Sequence, residues 1–275
     1  MTQGIHMPIT TFSPILCLWK MRSFFIGKVD EPLNISTGAS TLVFSLDKPI
    51  RFITSAMIEP IQCRSILISA GTSITIDTGD AVMANITLDP MGLDFSRISK
   101  LMKCLDQEIF FNILNEDAHM INLRKLCTPP LNHQSVYNYL EDFFSTISID
   151  TDIEEDSRIE TVVTRIQQTI HKNLSLIHLA DSVNLSPAYL TELFKQYTGL
   201  PIRRYRLWHR VFTTVLSVTE GKSLTNAAIE AGFTDSSHFN RTFRSMIGIT
   251  PTSIFVQKTP LQIIPAVSLD HAEFS

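Results

Sequence analysis

Charge is scarce in this chain: 18% of its 275 residues are Asp, Glu, Lys or Arg, and the formal balance is only −4. With 44% hydrophobic residues beside them, that excludes a disordered polyelectrolyte and leaves a globular protein, long enough for one large or two ordinary domains. Cysteine is sparse too. Cys17, Cys63, Cys104 and Cys127 are scattered, with no C-x-x-C and no His at ligand spacing. Reduced, buried or idle thiols are therefore expected, with a redox-sensing pair as the lesser alternative. No apolar run approaches the ~20 residues of a membrane span, and the N-terminus lacks a basic region followed by an apolar core and a cleavage site. A cytoplasmic protein without membrane contact is the expectation. Neither a Ser/His/Asp arrangement nor a phosphate-binding loop appears, so no catalytic residue and no cofactor site is assigned.

What charge there is lies unevenly. Residues 1–157 hold 11 Lys+Arg against 19 Asp+Glu, residues 158–258 hold 12 against 6, and the tail 259–275 holds 0 against 2. A basic segment on an acidic chain is an electrostatic footprint for nucleic acid.

That segment contains AIEAGFTDSSHFNRTFRSMIGITP, residues 228–251. Ala228 is small enough for two helices to cross closely, and Gly232 can take the positive φ of a tight interhelical turn. Phe233 plugs the core, and Asp235 caps a second helix that buries Phe239, Phe243 and Ile247 at i, i+4 and i+8, with Gly248 closing it. Ser236, Ser237, His238, Asn240, Arg241 and Arg244 remain on the outer face. These are groups that read base edges and grip phosphates.

The pattern occurs twice. Ala180, Asn184, Leu185, Leu190, Phe194, Lys195 and Gly199 repeat Ala228, Gly232, Phe233, Phe239, Phe243, Arg244 and Gly248 in order, with one residue fewer in the turn. Asn184 tolerates the left-handed conformation, and Ser186 with Pro187 supplies the cap and first position of the next helix. On that helix Ala188 and Thr191 can touch a thymine methyl, Glu192 can accept from a cytosine N4 or instead form a salt bridge, and Lys195 suits phosphate. Between the repeats, Pro201–Thr219 reads as one connecting helix. Tyr205, Trp208, Phe212 and Val215 form its apolar stripe, Arg203, Arg206 and Arg210 lie opposite, and Arg204 and Arg206 are candidate phosphate contacts.

Residues 158–258 thus resemble the tandem helix-turn-helix domain of the AraC family of bacterial transcription regulators. The Gly-Phe, His-Phe-x-Arg-x-Phe-Arg and Gly-x-Thr-Pro elements of 232–251 carry the likeness. The resemblance implies double-stranded DNA as partner, RNA polymerase as a second, activation as the mode, and the bacterial nucleoid as the location.

Before residue 150 the runs 41–48, 50–58, 64–71, 72–79 and 81–88 alternate and are broken by Gly, Pro and Asp. They read as five or more antiparallel strands, a small barrel or sandwich. Helical spacing follows in Ile98, Leu101, Met102 and Leu105, and again in Val136, Leu140, Phe143, Phe144 and Ile147 after the Pro129-Pro130 break. The fold class is α+β: an N-terminal cupin-like β-barrel with following helices, as the resemblance implies, and an all-α tandem helix-turn-helix. The expected division is 1–150 regulatory, 151–157 acidic linker, 158–258 DNA-binding and 259–275 tail, the tail loosely held or packed on the N-terminal domain.

Family members often pair through the helix after the barrel, which makes Val136, Leu140, Phe143, Phe144 and Ile147 a candidate homodimer interface, against the alternative that the helix simply caps the barrel. Phe44, Phe52, Met57 and Met83 are core, or else line a cavity for a small effector. His6, His119 and His133 show no pair spacing, which argues against a metal site. The other readings are a cupin-type metalloenzyme fused to DNA-binding helices, and a constitutive binder whose N-terminal domain is purely structural.

Overall fold

The computed structural model describes residues 13–19, 21–28, 32–91, 94–127, 133–146, 156–172, 174–247, 250–255 and 261–264. His6, Pro129, Pro130, Ile147, Gly248, residues 151–155 of the acidic linker and most of the tail lie outside them.

The first half of the chain is strand-rich: β1 (Ile15–Trp19), β2 (Arg22–Lys28), β3 (Leu33–Ser36), β4 (Thr41–Ser45), β5 (Ile50–Ile53), β6 (Ile61–Cys63), β7 (Ser65–Ile68), β8 (Ser73–Asp77) and β9 (Val82–Thr87). Then come α1 (Asp94–Ser99), β10 (Lys103–Cys104), β11 (Ile109–Phe111), α2 (Glu116–Leu126) and α3 (His133–Thr146). The helical half is α4 (Ser157–Gln168), α5 (Leu176–Asp181), α6 (Pro187–Thr198), α7 (Ile202–Thr219), α8 (Leu224–Glu230), α9 (Ser236–Ile247) and α10 (Pro251–Phe255), followed by β12 (Gln262–Ile264).

Eight strands form one sheet in the order β10-β11-β7-β4-β9-β2-β1-β12, and four form a second, β3-β8-β5-β6. The sheets stack as an open sandwich, and among the described residues they do not close into a barrel. Strand alternation sends successive side chains to opposite faces. Leu42 and Phe44 of β4 join Phe24 and Ile26 of β2 under α1, α2 and α3, while Val43 and Met83 face Ile35, Phe52 and Ile76 of the small sheet. Phe44 and Phe52 are therefore core.

The small sheet covers only part of that second face. Over β1 and β2, where Leu16, Leu18 and Phe25 point away from α1–α3, the cover is α7 and α9, through Trp208, Phe212 and Met246. β12 completes the junction by pairing in parallel with β1, Ile15 against Gln262 to Cys17 against Ile264. The described part of the tail is thus packed on the N-terminal domain.

Two expectations are corrected here. The periodicity over Ile98–Leu105 yields only the short α1, because the chain leaves the helix to pair Lys103 with Phe111. The described apolar face of α3 is spent on the chain's own core. Val136, Leu140 and Phe143 are buried in the chain's own core, Phe143 meets Phe44 edge-on at 6.4 Å, and Phe144 lies 5.3 Å from Trp19. Polar contacts pin the same helix: Trp19 Nε1 donates to Glu141 Oε1 at 2.8 Å, and the Arg22 guanidinium lies 4.5 Å over the Phe144 ring while forking onto Asp94 at 2.7 and 2.9 Å. Among the described side chains, what α3 shows to solvent is Gln134, Ser135, Asn138, Glu141, Asp142, Ser145 and Thr146.

Burial pushes the Cys17 thiol up to about 11 and those of Cys63 and Cys127 up to about 12, so these three are inert as thiolates. Cys104 is exposed. His119 lies between Phe44 and Phe143, its pKa lowered by burial.

Candidate nucleic-acid interface

The duplication read in the sequence is also one of geometry. In the first module Ser175 caps α5, Asn184 sits at φ 54°, and Leu185 N–H donates to Ala180 O at 3.0 Å. In the second Ser223 caps α8, Gly232 sits at φ 91°, and Phe233 N–H donates to Ala228 O at 3.0 Å. Both turns therefore close through one left-handed residue and one hydrogen bond back onto a fully buried alanine. The second helices are capped alike. Ser186 Oγ accepts from Tyr189 N–H at 3.2 Å and Asp235 Oδ1 accepts from His238 N–H at 2.7 Å. That bond, with the Thr234 hydroxyl behind it, holds the Asp235 carboxyl below the usual range.

Each second helix buries one stripe and leaves the other free. α6 buries Leu190 and Phe194; α9 buries Phe239, Phe243 and Met246, with Ile247 only half-buried. Ala188, Thr191, Glu192 and Lys195 are exposed on α6, as are Ser237, Asn240, Arg241 and Arg244 on α9. Ser236 and His238 are half-buried, and the His238 ring is held edge-on to Phe233 at 5.2 Å with Nδ1 3.2 Å from Thr234 Oγ1. Tyr189, half-exposed among these residues, was missed in the sequence; an aromatic off the buried stripe was the available signal.

α7 joins the modules and is buried nearly all round. Tyr205 packs on Phe194 of the first module at 5.5 Å, and Trp208, Val211, Phe212 and Val215 serve the second. At 18 residues it is ~27 Å long. Of the arginines that spacing placed on a free face, Arg203 is exposed, Arg206 half-buried and Arg210 buried. Arg210 is 7% exposed and donates from Nε and Nη2 to Ile170 O at 3.2 and 3.1 Å, tying the segment after α4 to α7 beside the Gly232 turn. Arg204, expected on phosphate, instead bridges the domains. Its Nε and Nη2 donate to Thr37 O at 3.1 and 2.9 Å, and Nη2 also reaches Ser36 O and Ser36 Oγ. β3 ends against the start of α7, so the carbonyls of Ser36 and of Thr37, which also accepts from Gly71 N–H at 2.9 Å, lie within reach of the Arg204 fork. Burial lowers the pKa of both arginines, and of half-buried Arg206, where Arg210 adds repulsion.

Residues 179–257 match a family model described as a helix-turn-helix domain. The chain is 28% identical over 102 residues to the transcriptional activator RhrA of Rhizobium meliloti, covering 36% of this chain and 32% of that protein. Residues 179–257 are thus a helix-turn-helix domain of the AraC type. Regulatory protein PocR of Salmonella typhimurium is 24% identical over 168 residues, 58% of this chain and 48% of its own. The chain therefore spans under half the length of these two relatives. ToxT from Vibrio cholerae shares the fold over 84% of this chain and 97% of its own, with a TM-score of 0.54 at 12% identity. A ToxT structure described as bound to an unsaturated fatty acid gives 0.56 at 12% identity, over 88% and 96%.

Two experiments follow from this AraC-type geometry. A Cβ at Gly232 would lie 2.8 Å from Ile170 O and 3.0 Å from Arg210 Nε, whereas Asn184 already carries one in the equivalent turn. Gly232→Asn should thus destabilise by ~1–3 kcal/mol through overpacking, while Asn184→Gly should change stability by less than ~1 kcal/mol. Equal losses in chemical denaturation would show that Gly232 is there for φ alone. On selected DNA, Arg241→Ala should cost ~1–3 kcal/mol at the cognate site and little on random sequence. Lys195→Gln or Arg244→Gln should weaken both alike and lower the salt slope by about one unit.

Proposed function

We propose that this protein is a sequence-specific DNA-binding transcription regulator whose two helix-turn-helix modules read one stretch of duplex. The observation that carries the reading is the paired, uncovered outer faces of α6 and α9, cationic on α9 through Arg241 and Arg244 and balanced on α6 through Lys195 and Glu192, on a scaffold that fixes their separation. Asn240 and Arg241 read bases in the second module. Thr191 and Ala188 do so in the first, with Glu192 accepting from cytosine, and Lys195 and Arg244 hold phosphate. Ser236, Ser237 and His238 flank the bases, and Arg206 reaches the backbone between the modules.

The second part of the proposal is that the N-terminal domain is an effector domain and that the regulator is an activator contacting RNA polymerase. An apolar cavity of about 80 Å³ lies where the uncovered half of the large sheet meets α7 and α9, with Met83 among its lining. A ToxT structure is described as fatty-acid bound, which supports a small-molecule site in this architecture. A ligand there acts on the second module directly, because Phe243 and Met246 of α9 form part of the wall.

The regulator works as a homodimer through a surface other than the buried face of α3. Two tethered readers gain effective concentration on paired sites. Band-shift titration of the full-length protein should show at least tenfold tighter binding to two-site than to one-site DNA. Equal affinity for both would rule out the dimer, and no sequence preference in DNA selection would rule out the regulator.

A further inference from the structure

The chemistry of the cavity wall narrows what can occupy it, granted the effector reading above. None of the side chains lining it is charged. Its floor is a patch of the large sheet on which Ser23, Thr87 and Thr41 stand side by side across β2, β9 and β4, in register as Ser23 opposite Thr87 and Thr87 opposite Thr41. Asn85 is in the next row toward Phe25 and Val43. Thr41 Oγ1 donates to Ala39 O at 3.1 Å. Thr87 is 4% exposed.

The opposite wall holds the sharper signal. Trp208 of α7 is 2% exposed, and its indole Nε1–H is buried without a hydrogen-bond partner. An indole N–H is a donor only, and a buried one nearly always finds an acceptor. Trp208, whose N–H lacks an acceptor, is thus a wall residue of a cavity whose facing wall carries the hydroxyl-bearing Ser23, Thr41 and Thr87.

We propose that the cavity binds an uncharged, largely apolar molecule bearing one oxygen acceptor, such as an ester, ketone or alcohol. Its oxygen accepts from Trp208 Nε1–H, and the Ser23–Thr87 side of the floor holds a second polar group. A carboxylate is selected against, because it would enter a dry, apolar space with no cation to pair it. Size adds a constraint. A cavity of about 150 Å³ is what holds benzene in a rigid core, so at about 80 Å³ this one admits a ligand of that size only if α7 and α9 move off the sheet. Occupancy is thereby linked to the position of the second reader.

Matched probes test this: 1-octanol, methyl octanoate and octanoate, titrated calorimetrically into the full-length protein at pH 7.5. The alcohol and ester should bind at least tenfold tighter than the carboxylate and shift the affinity for selected DNA. Octanoate binding as tightly as the neutral pair overturns the proposed ligand class while leaving the effector reading intact. Binding by none of the three overturns both. Trp208→Phe should weaken 1-octanol at least threefold and leave toluene, which has no acceptor oxygen, unchanged. Thr87→Val gives the same comparison if the tryptophan variant does not fold, and equal losses for both probes would assign these residues to packing alone.

Discussion

The large sheet has more apolar surface than the small sheet and the three β-domain helices can cover, and α7 supplies the rest. Leu16, Leu18 and Phe25 on one side and Trp208, Phe212 and Met246 on the other form a single core across the domain boundary. At ~1.5–3 kcal/mol for each large side chain fully removed from water, that contact is worth on the order of 10 kcal/mol as an upper bound. This is comparable to the whole stability of a typical domain, ~5–15 kcal/mol. Surface charge pairs at ~0–1 kcal/mol do not compete with it. The Arg204 bonds to Ser36 and Thr37 fix orientation more than they add energy.

From that shared core the proposed regulation follows mechanically. The same helix that joins the two readers is the lid of the cavity and the cover of the sheet, so no state of the N-terminal domain can change the apposition of α7 without moving the second module. The first module is tied less directly, through Tyr205, Arg210 and the α4–α6 core. An effector at the junction therefore changes the spacing or angle between readers rather than either reading face.

The tandem modules were legible in the sequence because their signals are local: a cap, a left-handed turn residue, a stripe at i and i+4, and then the whole set again. Alternating strands such as β5 and β8 were legible for the same reason. β1 was not, since ILCLW is apolar at every position. Such a run marks a strand buried on both faces, and no period distinguishes it from a helix. The charges of α7 misled for a related reason. Arg210 has the spacing of a solvated face and Arg204 read as a phosphate contact, but their partners are backbone carbonyls of Ile170 and of Ser36 and Thr37, distant in sequence and invisible to any pattern. The stripe of α3 was legible as a stripe, while its partner, the chain's own Phe44 and Trp19 rather than a second copy, was not. The cavity escaped because its walls come from residues some 120 or more positions apart.

Because one core spans both halves, the chain should unfold as one. Differential scanning calorimetry of the full-length protein, without DNA or ligand, is predicted to show a single transition whose calorimetric and van't Hoff enthalpies agree. Two resolved transitions, one following the β-domain and one the helix-turn-helix modules, would show that the junction is only a weak contact and contradict the account.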